Sequence, residues 1–160
     1  MQPRVEELAQ ALLERHWMLA TAESCTGGMI AAACTDLAGS SAWFERGFIT
    51  YSNEAKTEQL GVDSNLIVAH GAVSEVVARA MAFGAVRYSR ARVSVAVTGV
   101  AGPTGGSKDK PVGTVWFGFS VDGRLDSETI RFDGDRAGVR QATVAHAIDG
   151  LLARIAATET

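Results

Sequence analysis

The stretch Ala91 to Gly99, ARVSVAVTG, decides how the chain folds. From Val93 onward it is a β-branched and small-residue run with no charged residue in it. A strand that faces water on one side alternates apolar and polar positions, whereas a strand covered on both faces reads as such a continuous run. The run therefore predicts a central strand with helices above and below its sheet. The neighbouring segments supply those helices. Ser74 caps a helix predicted over 75–89, with Val76, Val77, Ala80, Met81 and Gly84 on its apolar face. Beyond the strand, TVWFGFSVDG and RLDSETIRFD meet at Asp122-Gly123 and read as a hairpin. A last helix over 135–157 carries Val144, Ile148, Leu151, Leu152 and Ile155 at helical spacing.

Toward the N-terminus the same alternation of elements continues. Val5, Leu8, Leu12 and Leu13 give one face to a helix over 3–16. WMLATA, residues 17–22, is a first strand, followed by a helix over 26–37 whose N-cap is Ser24 or Thr26. AGSSAW is a loop, FERGFITYS (44–52) a second strand, and NEAKTEQLGV a short helix stopped by Gly61. SNLIVAHG is a further short helix. Helices interleaved with strands, plus one hairpin, predict a three-layer α/β/α sandwich with a mixed central sheet, as one domain over residues 1–160.

Composition narrows the function. The 47% hydrophobic content of 160 residues is enough for a sizeable core. The net charge of −3 and the lack of any basic run with interleaved aromatics argue against a nucleic-acid partner. No apolar stretch approaches the ~18 residues of a membrane span, and MQPRVEELAQALLERH reads as an amphipathic helix rather than a signal peptide. Cys25 and Cys34, both on or beside one predicted helix, make a poor disulfide pair, so a reducing cytoplasm is expected. His16, His70 and His146 fall in no HxxxH-type pattern and no CxxC or DxD pattern gives a ligand set, so no metal site is expected.

Two loops exceed what packing requires. VAGPTGGSKDKPVG, residues 100–113, follows the most buried strand, where open α/β sheets bind ligands. It is not a phosphate-binding P-loop, because Gly102 is followed five residues later by Ser107 and then Lys108-Asp109. Composition alone reads it equally as a plain surface loop. The second segment, GSSAWFERGFITYSNEAK from Gly39 to Lys56, holds Ser40, Ser41, Tyr51, Ser52 and Lys56. A serine hydroxyl becomes a nucleophile when a base takes its proton. A buried lysine with a lowered pKa is such a base, and a tyrosine can position the proton. The competing reading makes Ser52 or Asn53 a helix cap, Lys56 a solvated first-turn lysine and Tyr51 a sheet residue. Between strand and helix, TAESCTGG places Ser24, Cys25, Thr26, Gly27 and Gly28 at a turn whose amides can face an anion. Cys25 reads first as a packed small residue and second as a thiolate favoured by a helix dipole. Arg136 and Arg140 lie one turn apart and form a candidate phosphate clamp or, alternatively, surface pairs with Asp133 or Asp135.

In this order, TAESCTGG, AGSSAWFERGFITYSNEAK, HGAVSE, VAVTGVAGPTGGSKDKPVGTVWF and FDGDRAGVRQ resemble the CinA C-terminal domain family over roughly residues 5–155. Longer members add an N-terminal nucleotide-processing domain whose metal-dependent chemistry is not carried over, because the motifs matched here are those of the C-terminal unit. The resemblance implies an amidase that hydrolyses the carboxamide of nicotinamide mononucleotide, in pyridine-nucleotide salvage, by Ser-Lys chemistry without a cofactor or metal. It implies Ser24, Ser41, Tyr51 and Lys56 as catalytic candidates. Thr98 and the GVAGPTGG loop join them, so Thr26, Gly27, Gly28, Thr98, Gly99, Gly102, Gly105, Gly106, Arg136 and Arg140 are expected to contact substrate. Lys108 and Lys110 are further candidates for the phosphate. Ser41 is the preferred nucleophile, with Lys56 as base and Tyr51 as relay; Ser24 in that role is the alternative. A homo-oligomer is expected, though no apolar stripe marks its interface. Two rival functions remain at this level: a non-catalytic nucleotide-binding module, and a cysteine hydrolase using Cys25.

Overall fold

The computed structural model describes residues 1–158. Its centre is a mixed five-stranded sheet in the order β2-β1-β3-β4-β5. The strands are β1 (Leu19–Glu23), β2 (Phe44–Ile49), β3 (Val93–Gly99), β4 (Thr114–Val121) and β5 (Arg124–Arg131). β1 pairs parallel with both β2 and β3, while β3–β4 and β4–β5 are antiparallel. The helices are α1 (Gln2–Arg15), α2 (Met29–Thr35), α3 (Asn53–Leu60), α4 (Ser64–His70), α5 (Glu75–Arg87) and α6 (Arg136–Ala156). A 3-10 turn, Ser40–Ala42, precedes β2.

The unbroken run that predicts a doubly covered strand is β3, and Val93 through Thr98 are all buried. Its alternate residues serve two cores. Val93, Val95 and Val97 pack with Leu8 and Leu12 of α1, Ile30 of α2, and Ile148 and Leu151 of α6. Ala96, with Ala20 and Ala22 of β1, packs against Leu60, Val77, Met81 and Ala85 on the opposite side. That second face is made of small side chains, and the reason is the closeness of α5. Ser94 Oγ donates to Ala82 O at 2.7 Å, and a Cβ on Gly118 would stand 2.2 Å from Ala78 O. The three-layer α/β sandwich is thus present, with α1, α2 and α6 on one face and α3, α4 and α5 on the other.

Connectivity places the functional end. From β1 the chain crosses through α2 on one face to β2, then through α3, α4 and α5 on the other face to β3. The carboxyl ends of β1 and β3 therefore diverge at a topological switch point, where such sheets bind ligands. Ser24 N donates to Val97 O and Thr50 N to Glu23 O, which ties the three strand ends together.

Two local expectations need correction. The helix after β1 begins at Met29, not at residue 26, and its N-cap is Gly28 (φ 107°) rather than Ser24 or Thr26. The reason is that Glu23, the last residue of β1, reaches back to take the first-turn N–H groups, which leaves 24–28 free to form a turn. The second strand stops at Ile49 because the chain turns at Thr50 into α3. The hairpin is as expected: Asp122 and Gly123 have φ of 51° and 83°, the left-handed pair of a type I′ turn. Among the described residues no helix is long and apolar enough to cross a membrane, and no group of three His, Cys, Asp or Glu side chains is placed to hold a metal ion.

Candidate active site

The carboxyl ends of the parallel strands open into a cavity of about 240 Å³, lined by residues of five separate segments. Ser24 and Cys25 come from the turn after β1, Tyr51 from the link between β2 and α3, and Asn53 and Lys56 from α3. Ala72 and Val73 precede α5, and Thr98, Gly99 and Ala101 follow from the end of β3. Arg136, the first residue of α6, stands at the rim.

Lys56 is the centre of the site. Ser52 caps α3 by accepting from Ala55 N at 3.0 Å, so Lys56 falls just after the first turn. A helical side chain leans toward the N-terminus of its helix, and this carries the amine back onto the chain that precedes α3. Lys56 is only 1% exposed. Its Nζ lies 2.7 Å from Thr50 O, 3.4 Å from Tyr51 O and 3.0 Å from Ser24 Oγ. Among the described residues no carboxylate pairs with it. Burial pushes the Lys56 amine below the usual lysine range, opposed in part by the nearby Cys25 thiol. The positive end of the α3 dipole acts in the same direction as burial.

Ser24 stands on a turn built by its neighbours. The Glu23 carboxylate is fully buried and accepts four hydrogen bonds. Oε1 receives Thr26 Oγ1 (2.6 Å), Gly28 N (3.2 Å) and Ile30 N (2.9 Å), and Oε2 receives Ala31 N (2.9 Å). Gly27 and Gly28, at φ 58° and 107°, make the reversal that this arrangement requires. On the other side of the turn, Arg140 donates from Nε to Cys25 O (3.0 Å) and from Nη2 to Thr26 O (3.2 Å). The N–H of Cys25, next after Ser24, meets no acceptor among the described residues beyond its own thiol. That thiol is pushed up to about 11 by burial.

The structure separates the sequence-predicted residues into three sets. Ser24, Tyr51, Lys56, Thr98, Gly99 and Arg136 converge on the cavity. Thr98 Oγ1 donates to Ala72 O at 3.0 Å and fixes one wall. Arg136 donates to Gly102 O (2.9 Å) and to Tyr51 Oη (3.3 Å), so the tyrosine and the Gly-rich loop share one guanidinium. Thr26, Gly27, Gly28 and Arg140 form the turn behind Ser24 and do not line the cavity. Gly105 and Gly106 lie exposed in the loop with Lys108, and Lys110 Nζ is engaged by His70 O at 2.6 Å. Ser41 is not in the cavity. It is exposed in the 3-10 turn before β2, while Lys56 follows the far end of that six-residue strand, about 20 Å away at the rise of an extended chain. The partner that the fold brings to Lys56 is Ser24. Glu23, the residue that organises the turn, is one the sequence reading passes over. Its only signal is a carboxylate closing an otherwise apolar strand.

At the switch point of a doubly covered α/β sheet, a serine hydroxyl thus stands against a buried amine that has no carboxylate partner among the described residues. The chain belongs to the CinA C-terminal domain family, whose model matches residues 1–155. It is similar to nicotinamide-nucleotide amidohydrolase PncC of Escherichia coli K12, with 53% identity over 148 residues, 91% of this chain and 89% of that protein. The Pseudomonas putida protein of the same name is 55% identical over 145 residues, 91% of each chain. Among solved structures, the competence damage-inducible protein A of Klebsiella pneumoniae superposes with a TM-score of 0.95 at 37% identity, covering 99% of this chain and 98% of that one. The Agrobacterium tumefaciens competence/damage inducible protein gives 0.92 at 44% identity, covering 95% and 93%.

Proposed function

We propose that this protein is an amidohydrolase that converts nicotinamide mononucleotide to nicotinate mononucleotide and ammonia, with Ser24 as nucleophile and Lys56 as base. The observation that carries the reading is the Lys56 amine, buried, without a carboxylate partner, and 3.0 Å from Ser24 Oγ. The names of the relatives above supply the substrate. The hydrogen-bond geometry supports the role of the base. A neutral amine has two N–H donors and one lone pair. Thr50 O and Tyr51 O can only accept, so they take the two donors, and the lone pair is left for the Ser24 O–H.

The step follows from that arrangement. Ser24 Oγ attacks the carboxamide carbon while its proton passes to Lys56 Nζ. The oxygen of the tetrahedral adduct, now negative, has the Cys25 N–H beside it, in the place an oxyanion donor takes after a nucleophile. Lys56 returns the proton to the amide nitrogen as the C–N bond breaks, and ammonia leaves. Water then attacks the acyl-serine ester with Lys56 again as base, releasing the carboxylate product and restoring Ser24. Arg136 at the rim, held by Tyr51 and Gly102, is the guanidinium available to the 5′-phosphate. The cysteine-hydrolase reading loses support because a thiol raised to about 11 stays protonated at neutral pH.

The test is to incubate wild type, Ser24→Ala and Lys56→Met with nicotinamide mononucleotide, without added metal, and to quantify ammonia and nicotinate mononucleotide. Turnover by wild type alone is expected. Retained binding with no turnover in wild type would instead mark a binding module.

A further inference from the structure

Arg136 and Arg140 are one helical turn apart, yet they do different things. Arg136 reaches the cavity rim, whereas the half-buried Arg140 points at the back of the Ser24 turn and donates to the carbonyls of Cys25 and Thr26, residues 115 and 114 positions away in the chain. Among the described residues no carboxylate lies within ion-pair distance of this guanidinium, so those two peptide groups receive its charge.

We infer that Arg140 is a positioning residue for the nucleophile rather than a phosphate ligand: it holds the Cys25 and Thr26 carbonyls away from the cavity, so that Ser24 Oγ and the Cys25 N–H stay aimed at the reacting carbon. The inference rests on Ser24 being the nucleophile. The turn needs such a hold. Gly27 and Gly28 both have positive φ, and glycine leaves the backbone free to leave that conformation. Glu23 pins the turn at the Thr26 hydroxyl, Gly28, Ile30 and Ala31, and Ser24 N is held by Val97 O, but none of these bonds reaches the Cys25 carbonyl. Arg140 supplies that second hold from α6, a helix of the outer layer. Because a guanidinium is planar and offers several N–H donors in fixed directions, it engages two successive carbonyls at once, which an ammonium does less well. Fixing Cys25 O fixes the Cys25–Thr26 peptide plane. Ser24 O, which shares a peptide with the Cys25 N–H, accepts from Gly27 N at 3.1 Å within the same turn, so the hold reaches the Cys25 N–H through the neighbouring peptides.

The expected consequence is a loss in rate without a loss in binding. A displacement of about 1 Å of a reacting group costs on the order of 100-fold. Arg140→Gln is therefore expected to lower kcat about 100-fold, and Arg140→Lys to recover only part of it. The dissociation constant for nicotinamide mononucleotide, measured by calorimetry, is expected to agree within about threefold between Ser24→Ala and Ser24→Ala/Arg140→Gln, the spread of a contact that adds no binding energy. Labelling of Ser24 by phenylmethanesulfonyl fluoride, followed by mass spectrometry, gives a readout that does not depend on the natural substrate. In that reaction the serine oxygen displaces fluoride from sulfur, and Arg140→Gln is expected to slow it in parallel with kcat. Methylguanidinium added to Arg140→Ala is expected to restore part of the rate. Far-UV circular dichroism and melting confirm that each variant is folded. A dissociation constant weakened in step with kcat/KM would make Arg140 a ligand of the phosphate and overturn the inference, as would labelling of Ser24 at the wild-type rate. If wild type is labelled at Ser24 but does not turn over the mononucleotide, the substrate reading fails while the labelling rates still decide the role of Arg140. If wild type shows neither, Ser24 is not the nucleophile and both fall.

Discussion

Removing the Glu23 carboxylate tests whether the Ser24 turn is organised as described. The carboxylate accepts from Thr26 Oγ1, Gly28 N and Ile30 N on one oxygen and from Ala31 N on the other, in a fully buried position. Glu23→Ala leaves all four donors without an acceptor. Each unmet buried donor costs about 1–3 kcal/mol taken singly. These costs do not add, because the turn relaxes and water enters the vacated space. Truncating one side of a buried charged contact costs about 3–5 kcal/mol, the loss expected for Glu23→Ala. Glu23→Gln is more informative. With the amide oxygen in the place of Oε1, three of the four bonds survive. The amide NH2 then faces Ala31 N–H, donor against donor, for a loss of about 1–3 kcal/mol. Against a typical domain stability of about 5–15 kcal/mol, both changes are measurable by urea denaturation at 25 °C. The expected order is wild type, then Gln, then Ala, with the slope against urea unchanged. Glu23→Ala within about 1 kcal/mol of wild type, or Gln as damaging as Ala, would refute the account of the turn.

Three other perturbations separate the roles of neighbouring groups. Ser24→Ala is expected to abolish turnover, whereas Ser41→Ala, an exposed change worth about 0.5 kcal/mol or less, leaves kcat/KM within about twofold. Parallel steady-state assays decide between them. Burial holds the Lys56 amine below its usual range, so between the folded and unfolded values the unfolded chain binds the additional proton. Stability therefore rises with pH across that window, up to the unfolded value near about 10.4, and kcat/KM rises with pH as the amine becomes neutral. Lys56→Met removes the pH slope in urea midpoints and lowers kcat by about 10²–10⁴-fold, the usual contribution of a general base. Cys25→Ala is expected to retain activity, and iodoacetamide at neutral pH to inactivate wild type slowly, since the thiol is buried and raised to about 11.

Much of the architecture was legible in the chain because the signals for it are local. The doubly buried β3 announces itself in ARVSVAVTG, and the hairpin in Asp122-Gly123. Ser52 capping α3 and Gly61 ending it are properties of a few consecutive residues, and the structure has both. Hydrophobic period and cap chemistry are enough to say that helices cover both faces of a mixed sheet. The segments that form the cavity also stand out, because TAESCTGG, TYSNEAK and the Gly-rich loop carry polar and glycine residues that a core does not need.

Which residues meet within those segments was decided by the tertiary structure. Ser41 is closer to Lys56 in sequence than Ser24 is, but β2 is extended and carries the two apart. Parallel pairing of β1 with β2 aligns their carboxyl ends, and so brings Ser24 to the amine across 32 residues. The same holds for Arg140, which helical spacing groups with Arg136. The packing of α6 over α2 turns it onto the carbonyls of Cys25 and Thr26. Glu23 reads as the end of a strand until α2 docks and offers it three backbone donors. Periodicity and caps are written in neighbouring residues, so the sequence alone determined the layers. Strand register and helix docking depend on the whole chain closing at once, and they alone determined which serine, which arginine and which carboxylate come together.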